Sequence, residues 1–219
     1  MSKVVVFGTA TFSEVAKFYL TKDSDHDVVG FTVHQAHISR EDFLGFPVVP
    51  FESLERFYPP ETHKLFIALG AKGLNRVREK IYHEAKARGY DLITYVSSKC
   101  THWGDTSIGD NCFIFEDNTI QPFVSIGSNT VLWSGNHIGH HVHIGDHCFI
   151  TSHVVISGHT HIGTHCFIGV NATFRDSITV GKSNVIGAGA LIMKSTRDNE
   201  VYIPQRTQAD SRTSDQLNM

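Results

Sequence analysis

From Ile108 to Ile192 an apolar residue stands at every sixth position without a break: Ile108, Ile114, Ile120, Ile126, Leu132, Ile138, Ile144, Ile150, Ile156, Ile162, Ile168, Phe174, Val180, Ile186 and Ile192. Amphipathic helices repeat their apolar positions every 3.6 residues and strands every two, so neither element accounts for this series. A hexapeptide period belongs to a β-helix, in which short strands wind round a prism and stack coil upon coil. Glycine follows the anchor repeatedly, as in Gly109, Gly127, Gly139, Gly145, Gly163, Gly169, Gly181 and Gly187, which reads as a corner conformation that a Cβ would obstruct. Four residues past the anchor the side chain is usually small, as at Val124, Thr130, Val142, Val154, Ala172 and Ala190, which suits a second inward site in a narrow core. Proline, which cannot donate to a ladder, enters the run only at Pro122.

Before the coil the pattern changes. Lys3–Gly8, Val28–Val33, Lys64–Gly70 and Asp91–Val96 read as strands, with helices expected over Ser13–Leu20 and Leu74–Arg88. Alternating strands and helices predict a small, Rossmann-like parallel α/β unit. The expected division is residues 1–95 for this unit, 96–206 for the β-helix and 207–219 for a polar, flexible tail.

The net charge of -3 and the lack of a basic run argue against a nucleic-acid footprint. Val4–Phe7 is too short for the apolar core of a signal peptide, and no stretch approaches the ~20 apolar residues of a membrane helix. A cytoplasmic protein with no membrane partner is therefore expected. Cys112, Cys148 and Cys166 all fall on the small inward site, which predicts core packing rather than zinc ligation; Cys100 has no evident role.

The strand, turn and helix around Gly8-Thr9-Ala10-Thr11 could present backbone N–H groups to a phosphate. With one glycine in that turn, the GxGxxG fingerprint is absent. Nine of the fifteen histidines lie between His137 and His165. Three hexads per coil stack residues 18 apart, so His141 falls under His159, His143 under His161 and His147 under His165, most of them expected to point outward. Such a cluster could bind metal; resemblance to the γ-class carbonic anhydrases, zinc enzymes of hexapeptide fold, would imply a His-x4-His pair, which no two histidines here form, and no metal is expected.

A small α/β unit followed by hexapeptide coils resembles the NeuD/PglD family of bacterial sugar acyltransferases, over Val4–Gly8, Ala68–Gly70, Arg76, the coil and Tyr202–Pro204. The resemblance implies a left-handed β-helix and a homotrimer. It implies transfer of acetyl from acetyl-CoA to a nucleotide-linked amino sugar, by direct transfer, in surface polysaccharide or glycan biosynthesis. Ile138-Gly139-His140-His141-Val142-His143-Ile144-Gly145 aligns His140 with the family's general base, whose imidazole suits proton transfer near neutral pH. The acid expected next is His141, a departure that leaves the base without its usual partner.

Gly158, 18 residues on from His140, takes the place of the backbone donor to the thioester oxygen. Val170 and Ala188 match positions along the CoA arm, and Lys182, Lys194, Arg197 and Arg206 could attract its phosphates. The closing Gly-x-Pro-Ala-Lys/Arg is reduced to Ile203-Pro204-Gln205-Arg206. Gly8, Thr9 and Gly70 are the implied acceptor-binding residues, although the acids that follow the second strand in relatives are replaced by Thr32-Val33-His34. Sugar O-acetylation is the alternative within this chemistry. From other classes, a non-catalytic trimeric scaffold and a zinc enzyme like the γ-class carbonic anhydrases remain open.

Overall fold

The computed structural model describes residues 2–217. The α/β unit is built from β1 (Ser2–Phe7), α1 (Thr11–Lys22), β2 (His26–Val33), β3 (Asp42–Phe43), β4 (Phe46–Pro50), β5 (His63–Ile67) and α2 (Arg76–Ala87). Its sheet runs β3-β4-β2-β1-β5, parallel except where β3 meets β4. The run Val4–Phe7 is fully buried, as a central parallel strand covered on both faces must be. The β3–β4 pair goes unforeseen, because two-residue β3 carries no periodicity.

Expectation and structure part at Asp91–Val96. Leu92 makes only an isolated bridge to Leu65, while Tyr95–Val96 pairs with Phe113–Ile114 and begins the β-helix. The coil is a left-handed parallel β-helix. Each turn consumes 18 residues, so Ile126, Ile144, Ile162 and Val180 stack in register. Three parallel faces result. One holds strands at 95–96, 113–114, 131–132, 149–150, 167–168, 185–186 and 201–202; we call it the docking face. The second carries 119–120, 137–138, 155–156, 173–174 and 191–192, and the third 107–108, 125–126, 143–144, 161–162 and 179–180.

The anchors fill the prism, with Cys112, Cys148 and Cys166 beside them and shielded from solvent. Asn118, Asn136 and Asn184 occupy the same inward site, and their side chains bond the main chain of the next coil or the turn, as where Asn136 Oδ1 accepts from Val154 N–H at 2.8 Å. The glycines after the anchors work differently from the sequence expectation. They need no positive φ; a Cβ on Gly139 would lie 2.6 Å from the Gly158 nitrogen, so these glycines admit the coil above. Positive φ falls two residues later, at Asn129, His141, His147, His153, His159, His165 and Asn171, residue types that accept the left-handed region more readily than most.

The α/β unit packs on the docking face. Outward-pointing Phe113, Val131 and Phe149 join its core, with Phe12 against Phe113 at 5.6 Å and Tyr19 against Phe115 at 5.0 Å. Buried Arg78 of α2 reaches into the coil, where Nε donates to Asn129 Oδ1 and Nη2 to the carbonyls of Asn129 and Cys148. Residues 207–217 are exposed with one 3-10 turn at Ser214–Gln216; the rest of the predicted tail, 218–219, lies outside the described residues. Among the described residues no helix is long and apolar enough to cross a membrane.

Candidate active site at a free corner of the prism

His140 and Gly158 lie at the corner between the second and third faces, which the α/β unit leaves uncovered. They stack on successive coils, and the imidazole lies against the glycine: a Cβ on Gly158 would sit 2.8 Å from His140 Cε1 and 2.9 Å from Nε2. Glycine at 158 thus makes the room in which the ring rests. At this turn position some coils cap the N–H with a side chain. Ser128 N–H donates to Asp146, Lys182 N–H to Asp198, and His140 N–H to Gln121 Oε1 at 2.8 Å. Gly158 N–H has no such partner among the described residues. A free backbone donor therefore stands beside an exposed imidazole.

His141 faces His140 with 3.1 Å between their Nδ1 atoms, a distance at which the two share one proton. His159 stacks on His141, with ring centroids 4.7 Å apart and planes 19° apart, and meets His140 edge-on at 4.9 Å. Phe123 closes the column below His141 at 4.7 Å. Desolvation by these neighbours, and then the His159, His140 and His143 charges, hold the His141 pKa below the ordinary imidazole value. Gln121 has no place in the sequence reading, and His159 enters it only through the 18-residue repeat that brings it over His141.

Lys194 shares this corner by register, three coils beyond His140, and is exposed. Val170 and Ala188 stack on each other at a different corner, between the docking and second faces. Within one chain they do not meet His140.

His147 and His165 depart from the expectation of outward side chains. They occupy the corner between the third and docking faces, where α2 covers them to 7% and 6% exposure. Asn129 Nδ2 donates to His147 Nδ1 at 2.9 Å, and Glu79 Oε1 lies 3.0 Å from His165 Nε2 and 3.7 Å from His147 Nε2. Burial pushes the His147 pKa down to about 4 against the pull of Glu79, and lowers that of His165 likewise.

On the α/β unit a cavity of ≈ 270 Å³ opens beside the first turn, lined by Phe7, Gly8, Thr9, Val33, His34 and Leu69 among others. Gly8 has φ +127°, and a Cβ there would fall 2.2 Å from Ser13 Oγ, so only glycine fits this turn. Gly70 is exposed and does not line the cavity; its neighbour Leu69 does. His34, just past β2, has Nδ1 3.0 Å from Glu52 Oε1 and Nε2 3.7 Å from Glu84 Oε2.

Comparison with known proteins bears on the coil first. Residues 124–158 match the bacterial transferase hexapeptide model (six repeats), and 159–194 match the hexapeptide repeat of succinyl-transferase. No curated protein matches the chain by sequence. Among solved structures, a histidine-to-asparagine mutant of perosamine N-acetyltransferase from Caulobacter crescentus, in complex with CoA and GDP-perosamine, superposes with a TM-score of 0.81. It is 20% identical, over 96% of this chain and 98% of that one. The acetyltransferase domain of PglB from Neisseria gonorrhoeae matches with a TM-score of 0.78 and 23% identity, over 92% and 96% of the two chains. WeeI from Acinetobacter baumannii gives 0.78 and 20%, with the same coverage. What these structures share with the chain is the fold, an α/β unit leading into a hexapeptide β-helix.

Proposed function

We propose that the protein transfers an acetyl group from acetyl-CoA directly to the amine of a nucleotide-linked sugar, with His140 as general base. The observation that carries this reading is the free Gly158 N–H beside the His140 imidazole. If His140 donates its Nδ1 proton to His141, Nε2 is left unprotonated and faces outward over Gly158. Nε2 then takes a proton from the amine as its nitrogen attacks the thioester carbonyl. The carbonyl oxygen gains the negative charge and accepts a hydrogen bond from Gly158 N–H, a fixed donor that need not reorganise. Collapse of the tetrahedral intermediate breaks the C–S bond, and the imidazolium returns the proton to the departing CoA thiolate. His141 takes the orienting role that an acid would otherwise hold. Because it is neutral it stabilises the imidazolium less, so His140 works with a weaker electrostatic partner.

The fold likeness to enzymes crystallised with CoA and GDP-perosamine supports the donor and acceptor classes. The cavity at Gly8 and Thr9 is our acceptor site, and Lys194 and the Val170–Ala188 edge are our CoA contacts. The first of these surfaces lies on the α/β unit and the others at two different corners of the prism, so a single chain does not close the site. A homotrimer, in which a neighbour's edge faces the His140 corner, brings them together.

The test is CoA thiol release from acetyl-CoA against nucleotide-linked 3- and 4-amino sugars, run beside His140→Asn. Turnover on one sugar that collapses in the variant supports the reading. Undiminished turnover in the variant removes His140 from the chemistry, and release only with hydroxyl acceptors would make the enzyme an O-acetyltransferase.

A further inference from the structure

Two groups of ligand-type side chains gather on the coil: Glu79 with His147 and His165, and His140 with His141 and His159. In each, one ligand atom from every residue lies within 4.8 Å of the others. They are not equivalent as cation sites. In the buried group, Asn129 Oδ1 accepts from Arg78 Nε at 3.1 Å and from Asn111 Nδ2 at 2.7 Å, so its amide nitrogen is the atom that faces His147 Nδ1. The His147 proton is thereby confined to Nε2, the atom that points to Glu79, and a metal there would have to displace it. Arg76 Nη1 adds a positive charge 2.9 Å from His165 Nε2. A misplaced proton and a guanidinium both oppose a cation.

The exposed group has no guanidinium against its ring nitrogens, and the proton between the Nδ1 atoms of His140 and His141 can move to His140 Nε2, which faces outward. Its backbone is pinned by the ladder, with His159 N–H donating to His140 O at 3.0 Å and His141 N–H to Pro122 O at 3.2 Å. All three residues are exposed. The 3.1 Å between the Nδ1 atoms of His140 and His141 is close to the roughly 3.3–3.4 Å separating two imidazole nitrogens around tetrahedral zinc with bonds of about 2.0–2.1 Å. Three neutral imidazoles with no carboxylate select zinc, copper or nickel and leave magnesium and calcium unbound.

We infer that His140, His141 and His159 form a binding site for a late first-row divalent cation, zinc above all, which switches acetyl transfer off: with the cation on His140 Nδ1 the ring's proton moves to Nε2 and the base loses its lone pair. The cation takes the place of the proton shared between His140 and His141, and water completes its coordination. Only the inhibition rests on His140 being the base; the metal binding stands on the cluster alone.

The experiment titrates the full chain with zinc, reading binding by calorimetry and geometry by the visible absorption of the cobalt-substituted protein, with turnover followed in parallel. His159→Asn is the informative variant, because asparagine accepts the left-handed turn at 159 and lies outside the proposed chemistry. Wild type should bind one zinc per chain at micromolar concentration, lose turnover as the site fills and regain it with a chelator. His159→Asn should weaken zinc binding about tenfold or more, and whatever turnover it retains should need correspondingly more zinc to be lost. The proposal is overturned if wild type binds no zinc in that range, if His159→Asn binds as tightly, or if Glu79→Gln is the variant that abolishes binding. Should wild type show no transferase activity at all, the zinc and cobalt titrations still decide the site while the function fails separately.

Discussion

Two pairs of histidines occupy the same backbone position of the same repeat, and they have opposite lives. His141 and His159 stack across one coil step with positive φ, and so do His147 and His165. The first pair stands at a free corner, open to solvent beside His140. The second is roofed by α2, tied to Asn129 and Glu79, and held neutral by burial. Residue type and local conformation explain why histidine is tolerated at all four positions, since its left-handed cost is modest. What each pair can do is decided by the layer laid over it. A covered imidazole with a fixed tautomer becomes part of the joint between the two units. An uncovered one keeps the lone pair that chemistry needs.

The largest expected effect tests the open corner. His140→Asn should lower turnover by roughly 10²-fold or more, the usual yield of a general base, while His147→Asn should leave turnover unchanged. Equal losses in the two variants, measured by thiol release, would break the contrast. Next comes acid stability. Protonating His147 is easier in the unfolded chain, where its pKa is near 6.5, than in the folded protein at about 4. The stabilisation is therefore complete above about pH 6.5 and drains away as the pH falls toward 4, by roughly 3 kcal/mol. Urea unfolding across that range should show the loss in wild type and a flatter curve in His147→Asn; parallel curves would mean that burial of this imidazole is immaterial.

Gly158→Ala ranks third. Its Cβ would intrude on the His140 ring, and a base displaced by about an ångström can lose up to roughly 10²-fold in rate with the fold intact. Full activity in this variant would show that the imidazole does not rest on the glycine during turnover. The smallest effect is on the stability of His141→Asn, which should stay within about 0.5 kcal/mol of wild type because the side chain is exposed. A larger loss would mean that the open column also holds the coil together.

Much of this was legible before the structure. The sixfold anchors announced the β-helix, and the 18-residue coil that follows from them placed Gly158 over His140 and His159 over His141. The division of labour between the two histidine pairs was not, because it depends on where α2 lands. A signal for that landing did exist. The residues just before the anchors are aromatic or aliphatic at every third hexad (Phe113, Val131, Phe149, Phe167, Val185), against Ser107, Ser125, His143, His161 and Thr179 on the third face. An outward apolar stripe with period 18 marks a face that something must cover. Arg78 was invisible for a different reason. A charged residue on a predicted helix reads as solvated, and only the carbonyls of Leu69, Asn129 and Cys148 converging on it explain its burial.

The start of the coil at Tyr95–Val96, paired directly to Phe113–Ile114 beneath the α/β unit, sets a gradient along the prism. The early coils are welded sideways to a second core, whereas the last ones, past 179, hold on to their predecessors and to the closing turn that Asn184 ties to Arg197 and Glu200. A solenoid of this kind frays from its unsupported end. Amide hydrogens near 191–192 should exchange with solvent long before those at 113–114, and the His140 corner sits midway, rigid enough to hold a ring against a glycine.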